Sequence, residues 1–266
     1  MEKSMPPAII LCGGRGTRLR DVTEVLPKPM VPIGDWPIVW HIMRCFAAFG
    51  VKRFILCLGY KREAFVDYFA NYRLRAADAT LTLGGPVEPA PPPVGSDWRV
   101  TLAATGLDTM TGGRVLRAAR HLAPEDGRFF LTYGDGLADI DLDALLKRHL
   151  EGGKLITVSA VHPEARFGEL ELSGDHVTGF TEKPAQAAGY INGGFMVLER
   201  GFIGRYLDPE RDDYLEREPM SRAAREGAML AFRHEGFWQC MDSPREYELL
   251  NKLWAAGNAP WTRYWK

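Results

Sequence analysis

Ala8-Ile9-Ile10-Leu11-Cys12-Gly13-Gly14-Arg15-Gly16-Thr17-Arg18-Leu19 decides how the chain is read. The apolar run at 8–11 predicts a buried strand, and it stops at Gly13, Gly14 and Gly16, where the backbone can turn tightly. Backbone without side chains brings its N–H groups close to phosphate oxygens, which bulky residues would prevent. Arg15, Arg18 and Arg20 add positive charge, and Leu26-Pro27-Lys28-Pro29 follows. Pro29 disfavours the helical region at Lys28, so the lysine is expected on a stiff, extended segment that loses little freedom on gripping an anion. The stretch reads as a phosphate-handling loop with an electrostatic clamp.

Two familiar phosphate loops are excluded. No Gly-Lys-Ser/Thr follows the glycines, so this is not a P-loop. Gly16 is followed by Thr17, Arg18 and Leu19, so G-x-G-x-x-G is not matched and a dinucleotide-dependent dehydrogenase loses its main support.

The remaining totals narrow the class. A chain of 266 residues with 46% hydrophobic and 25% charged residues can build a sizeable core without disulfides or metals. A net charge of −1 argues against a nucleic-acid binder that works by bulk electrostatics. Cys12, Cys45, Cys57 and Cys240 are scattered with no C-x-x-C pair, which argues against a zinc site or a disulfide framework. The N-terminal residues lack a signal pattern and no apolar run is long enough for a bilayer, so no membrane partner and a reducing cytoplasm are expected.

Along the chain, Asp35 is expected to cap a helix carrying Ile38, Ile42, Cys45 or Phe46, and Phe49, ended by Gly50. Residues 53–58 read as a second buried strand and 61–72 as another helix, which gives a βαβ unit. Residues 84–98 contain five prolines and are expected to form no regular structure, serving either as a variable linker or as a flap or subunit contact. Gly112-Gly113 opens a helix, 129–133 is a strand, and a helix at 141–150 precedes a strand at 155–161. Shorter strands are expected near 168–172, 177–182 and 191–198. Helices near 213–226 and 243–256 flank a strand at 228–234. The fold class is α/β, a doubly wound Rossmann-like mixed but mainly parallel sheet flanked by helices. It forms one domain over 1–266, with a nucleotide half to about residue 135 and a second half after it.

Asp135 lies between Gly134 and Gly136 at the end of a strand, where ligands and metals collect in open α/β sheets; a plain Asp-Gly turn is the alternative. Asp242 ends the run Phe237-Trp238-Gln239-Cys240-Met241 and is either a partner carboxylate or an N-cap or turn acid before the following helix. Two carboxylates suit Mg²⁺, a hard cation that takes oxygen ligands and keeps several waters. Glu182-Lys183-Pro184 and Asn192-Gly193-Gly194 are each ordinary turns. Together they offer hydrogen bonds to a polyol and a cation for a second phosphate. The histidines lack metal or triad spacing and are assigned no catalytic role.

Gly13-Gly14-Arg15-Gly16-Thr17-Arg18-Leu19 with Lys28-Pro29-Met30 resembles the signature of the sugar-nucleotide pyrophosphorylases, the nucleoside-triphosphate:sugar-1-phosphate nucleotidyltransferases. The resemblance extends through Trp40-His41-Ile42-Met43, Thr132-Tyr133-Gly134-Asp135-Gly136, Glu182-Lys183-Pro184 and Gly236-Phe237-Trp238-Gln239. Thr111-Gly112-Gly113-Arg114 makes it most similar to the glucose-1-phosphate cytidylyltransferase branch. The resemblance implies that Leu11, Cys12, Gly13, Gly14, Arg15, Gly16, Thr17, Arg18 and Lys28 hold CTP, with Thr109, Arg114 and Gly134 also on the nucleotide. It further implies Mg²⁺ on Asp135 and Asp242, a sugar 1-phosphate facing Glu182, Lys183 and Asn192, catalytic charge from Arg18 and Lys28, and a homo-oligomer, a hexamer, with C-terminal oligomerisation elements. Cys12 and Cys240 depart from the usual alanine and proline, and 84–98 is the poorest match. A cytidylyltransferase for another sugar or a non-sugar phosphate, and a non-catalytic nucleotide-sensing subunit, remain as alternatives.

Overall fold

The computed structural model describes residues 5–14, 25–81, 83, 85, 87–89, 94, 95, 97–163, 169–173, 176–181 and 189–265. At its centre β1 (Ala8–Leu11), fully apolar and buried, pairs in parallel with β4 (Arg53–Leu58) on one side and β8 (Arg128–Tyr133) on the other. β7 (Arg99–Ala104) extends the sheet in parallel beyond β4. Beyond β8 come β13 (Ile191–Glu199), β10 (Ile156–Val161) and β14 (Met229–His234), in the order β14-β10-β13-β8-β1-β4-β7. Within this sheet β13 alone runs opposite to its neighbours, so the start of β13 lies at the same edge as the ends of β1, β4, β7 and β8.

The side chains of β1 alternate between two apolar layers, as a period of two requires. Ala8 and Ile10 join a layer built with α1 (Ile38–Ala47), α2 (Arg62–Ala70), α5 (Leu142–Gly152) and α8 (Pro244–Ala255), through residues such as Phe46, Phe65, Leu145 and Leu250. Ile9 and Leu11 face the other layer, with α4 (Thr111–Ala118), α6 (Arg200–Tyr206) and α7 (Glu218–Arg225), through Val115, Phe202 and Ala223. Helices on both faces of a mainly parallel sheet are the doubly wound arrangement expected.

Several local expectations are corrected. Asp35 does not cap α1; it sits in the turn between β2 (Pro32–Ile33) and β3 (Trp36–Pro37), and α1 starts directly after Pro37 without a side-chain cap. The helix expected over 61–72 breaks at Asn71, with α3 (Tyr72–Ala76) following α2. The proline-rich stretch is not devoid of regular structure: β6 (Val87–Pro89) pairs antiparallel with β5 (Ala79–Leu81), and its proline stands at the end of the ladder, where a missing N–H is tolerated. The helix expected from 213 begins only at Glu218, because Pro219 suits the first turn of a helix and not its interior. α6 was not expected; Gly201 and Gly204 weaken its helical signal. β11 (Glu169–Ser173) and β12 (His176–Thr181) form a separate hairpin.

Candidate active site

The loops after β1, β4, β7 and β8 meet at one sheet edge, and a single arginine ties three of them together. Arg114, on α4, is only 5% exposed. Its Nη1 donates to the Gly106 carbonyl and the Thr105 hydroxyl at 2.8 Å each and, more weakly, to the Leu58 carbonyl at 3.4 Å. Its Nη2 donates to the carbonyls of Gly13 and Leu107, both at 3.1 Å. A Cβ at Gly13 would stand 2.0 Å from Nη1, and one at Gly59 2.7 Å from it. These glycines therefore make room for a guanidinium before they make room for any ligand. Arg114 lines the cavity, and both of its Nη atoms are bonded to the protein, so it frames the loops.

That frame opens into a cavity of about 520 Å³ whose lining includes Leu11, Cys12, Gly13, Gly14, Thr109 and Gly134. Among the described residues nothing stands within 4 Å of a Cβ placed at Gly14, whereas a Cβ at Gly134 would stand 2.9 Å from the Pro29 ring and 3.0 Å from the Leu11 carbonyl. Gly134 thus lets the end of β8 seat against β1 and the lysine segment. Thr109 is buried and accepts from Arg117 Nη1 at 2.6 Å. The Cys12 thiol is pushed well up by burial and then by neighbouring negative charge, so it is no nucleophile. Arg15, Gly16, Thr17 and Arg18 lie outside the described residues, as do Glu182 and Lys183.

Lys28 reaches the cavity from a single 3₁₀ turn, Lys28–Met30, and not from an extended segment. The turn is closed by Met30 N–H to Pro27 C=O at 2.8 Å and Val31 N–H to Lys28 C=O at 3.1 Å, neither of which needs the N–H that Pro29 lacks. The Lys28 ammonium donates to Asp135 Oδ2 at 2.6 Å and to Asp242 Oδ1. Burial pulls its pKa down, but the charges and hydrogen bonds of the two aspartates outweigh that and hold it above the ordinary lysine value.

A short ladder brings these acids together. β15 (Trp238–Cys240) pairs antiparallel with β9 (Gly136–Ala138), setting Cys240 opposite Gly136, and Met241 N–H donates to the Asp135 carbonyl at 2.8 Å. The cap of α8 is Ser243, which forms a reciprocal capping box with Glu246, so Asp242 is not the cap. The two carboxylates converge on one cation, here the ammonium. Their all-oxygen donor set suits a hard divalent ion. Among the described residues no cluster of three or more His, Cys, Asp or Glu converges in this way, so further ligands for such an ion would come from substrate or water.

Asn192 stands at the start of β13, where Val158 faces Met196 but Ala160 faces Asn192, so β13 takes four steps against two of β10. This bulge turns the amide toward Tyr133, whose hydroxyl accepts from Asn192 Nδ2 at 3.2 Å. Tyr133 and Thr111 both donate to Glu216, a residue with no motif or periodicity to mark it beforehand.

A nucleotidyl transferase family model matches residues 7–248. The chain belongs to that family. It is 43% identical over 262 residues to the glucose-1-phosphate cytidylyltransferase of Salmonella typhi, covering 96% of this chain and 98% of that one. It is 39% identical over 255 residues to a probable glucose-1-phosphate cytidylyltransferase of Bacillus subtilis, with the same coverage. Among solved structures, HddC from Yersinia pseudotuberculosis superposes with a TM-score of 0.67 at 25% identity, covering 94% of this chain and all of that one. The nucleotidyl transferase is thus an enzyme that joins a nucleoside triphosphate to a sugar 1-phosphate and releases pyrophosphate. Among the described residues no helix is long and apolar enough to cross a membrane.

Proposed function

We propose that the enzyme forms CDP-glucose and pyrophosphate from CTP and α-D-glucose 1-phosphate. The observation that carries this reading is the 43% identity along nearly the whole length of a glucose-1-phosphate cytidylyltransferase. It is supported by a glycine-lined cavity in which Lys28, Asp135 and Asp242 meet. The phosphate oxygen of glucose 1-phosphate attacks the α-phosphorus of CTP in line, and pyrophosphate leaves. An ionised phosphate needs no general base, so the work is positioning and charge neutralisation. Two unit charges 4 Å apart repel by about 4 kcal/mol at an effective dielectric near 20. Arg18 and Lys28 offset the triphosphate charge, while Glu182, Lys183 and Asn192 hold the sugar phosphate. Asp135 and Asp242 would hold Mg²⁺, which would supply further neutralising charge to the triphosphate.

Three of the four free cysteines are buried, a pattern that suits a reducing cytoplasm, and we place the enzyme there as a hexamer, testable by light scattering. The substrates are tested with a matrix of four nucleoside triphosphates against several sugar and non-sugar phosphates with Mg²⁺, reading pyrophosphate. CTP with glucose 1-phosphate is expected to dominate, and Asp135→Ala to abolish that signal. The structural likeness to HddC, also solved with GMP-PN, makes GTP the informative competitor; preferred turnover of GTP would replace the cytidine assignment.

A further inference from the structure

We propose that Glu216 is a positioning residue for the acceptor sugar, acting through Tyr133 on the amide of Asn192. The inference rests on the reading above that Asn192 faces the sugar phosphate. Glu216 lies between α6 and α7, where neither a motif nor the family signature draws attention to it.

The relay follows from donor and acceptor polarity. Asn192 Oδ1 accepts from the Gly194 N–H at 2.9 Å, which turns Nδ2 toward Tyr133. Nδ2 donates to the Tyr133 hydroxyl at 3.2 Å, and that hydroxyl donates to Glu216 Oε1 at 2.6 Å. Glu216 Oε2 accepts from the Thr111 hydroxyl at 2.6 Å, and Thr111 accepts in turn from the Leu215 N–H at 2.8 Å. An ionised carboxylate only accepts, so it commits the Tyr133 proton to itself and leaves only lone pairs facing Asn192. The amide can then present only N–H at that point. Gly194 and Glu216 thus define the amide from its two ends, and the second Nδ2–H is directed by the same constraint toward an incoming hydroxyl or phosphate oxygen.

The packing supports this. Gly194 has φ +85°, and a Cβ there would stand 2.6 Å from the Tyr133 ring, so the ring lies directly on the bulge that carries Asn192. Burial, followed by the Glu216 charge, raises the Tyr133 pKa and keeps the phenol a donor. Through Thr111, at the start of α4 and in the cavity lining, the same carboxylate reaches the nucleotide side.

Glu216→Gln replaces one acceptor oxygen by a donor. If the new NH₂ meets Tyr133, the tyrosine proton turns toward Asn192, and the amide must flip or lose its bond. Tyr133→Phe removes the relay and leaves the Glu216–Thr111 contact in place. Both variants are expected to raise the KM for glucose 1-phosphate roughly 3- to 10-fold, the size of one lost hydrogen bond, with the KM for CTP changed by less than about 2-fold. The double variant should be no worse than the poorer single one, because both cut the same chain. The side-chain amide resonances of Asn192 in ligand-free protein, assigned with Asn192→Asp, should move in both variants. An unchanged acceptor KM in both variants, an equal rise in the CTP KM, or unmoved Asn192 resonances would overturn the proposal. Inactivity of the unsubstituted enzyme with glucose 1-phosphate would overturn the substrate reading alone, and the amide resonances would then decide the role of Glu216.

Discussion

Lys28→Met separates the two roles that one ammonium can have in this site. The side chain keeps its length but loses its charge, so Asp135 and Asp242 face each other without the cation that now joins them. Removing one partner of a buried ion pair costs about 3–5 kcal/mol. Both carboxylates retain 30% side-chain exposure, so water recovers part of that and about 2 kcal/mol remains. A divalent ion entering the unsubstituted, nucleotide-free enzyme must displace the ammonium against that same energy; in Lys28→Met it need not. The expected result is that Mn²⁺ binds nucleotide-free Lys28→Met about 30-fold more tightly than it binds the parent, since 1.36 kcal/mol is tenfold. Isothermal titration calorimetry or the spin signal of free Mn²⁺ reads this directly, and adding Asp135→Asn should abolish the gain. Turnover should fall by at least about 10²-fold in the same protein, because the proposed phosphate clamp is gone. Equal or weaker Mn²⁺ affinity in Lys28→Met would refute the reasoning that the lysine occupies the cation position.

His41 is buried with Nε2–H donating to the Ile33 carbonyl at 2.9 Å and Nδ1 accepting from the Trp261 indole at 3.3 Å, and burial lowers its pKa from 6.5 to about 4. The unfolded chain therefore binds the extra proton first, and stability present above pH 6.5 is lost as pH falls toward 4, by about 3 kcal/mol. Urea titrations at pH 7, 5.5 and 4.5 should show that slope, and an identical slope in His41→Asn would remove the assignment. Gly13→Ala forces the Arg114 guanidinium out and should destabilise by about 2 kcal/mol or more, whereas Gly14→Ala, whose new methyl meets nothing among the described residues, should melt close to the parent. Arg114→Lys replaces a planar fork with a point charge that cannot reach acceptors on three loops. Thermal melts should show a loss of about 1–3 kcal/mol, and a parent-like melting temperature would contradict the framing role.

The parts of the molecule legible in the sequence are those whose signal is local. An apolar run halted by glycines marks β1 and its loop, and the alternation of strands with helical spacing marks the doubly wound sheet. Asp135 and Asp242 are recognisable as candidates, but the contact each makes with Lys28 spans 107 and 214 positions, and the ladder that unites them is three residues long on each side. Strands that short carry too little pattern to be found. The motif around Arg114 marks it as a nucleotide contact, but not as the tie between loops, because its protein partners are mostly backbone carbonyls, which every residue possesses and which leave no trace in residue identity. Glu216 was missed for the complementary reason: a single acid in a polar stretch looks like solvated surface until the tyrosine and threonine that it binds are placed beside it.

The ladder between β9 and β15 also has a consequence for synthesis on the ribosome. The glycine loop, the lysine turn and Asp135 are all made before Asp242, which joins them only when β15 adds its edge. Trp261, later still, then closes over His41 on α1, 220 positions away. A nascent or prematurely terminated polypeptide can therefore own most of the proposed triphosphate cradle and still lack the second acid. Assembly order makes the later-made acid a licence for the proposed chemistry, so products truncated before it should sequester nucleotide at most and not consume it.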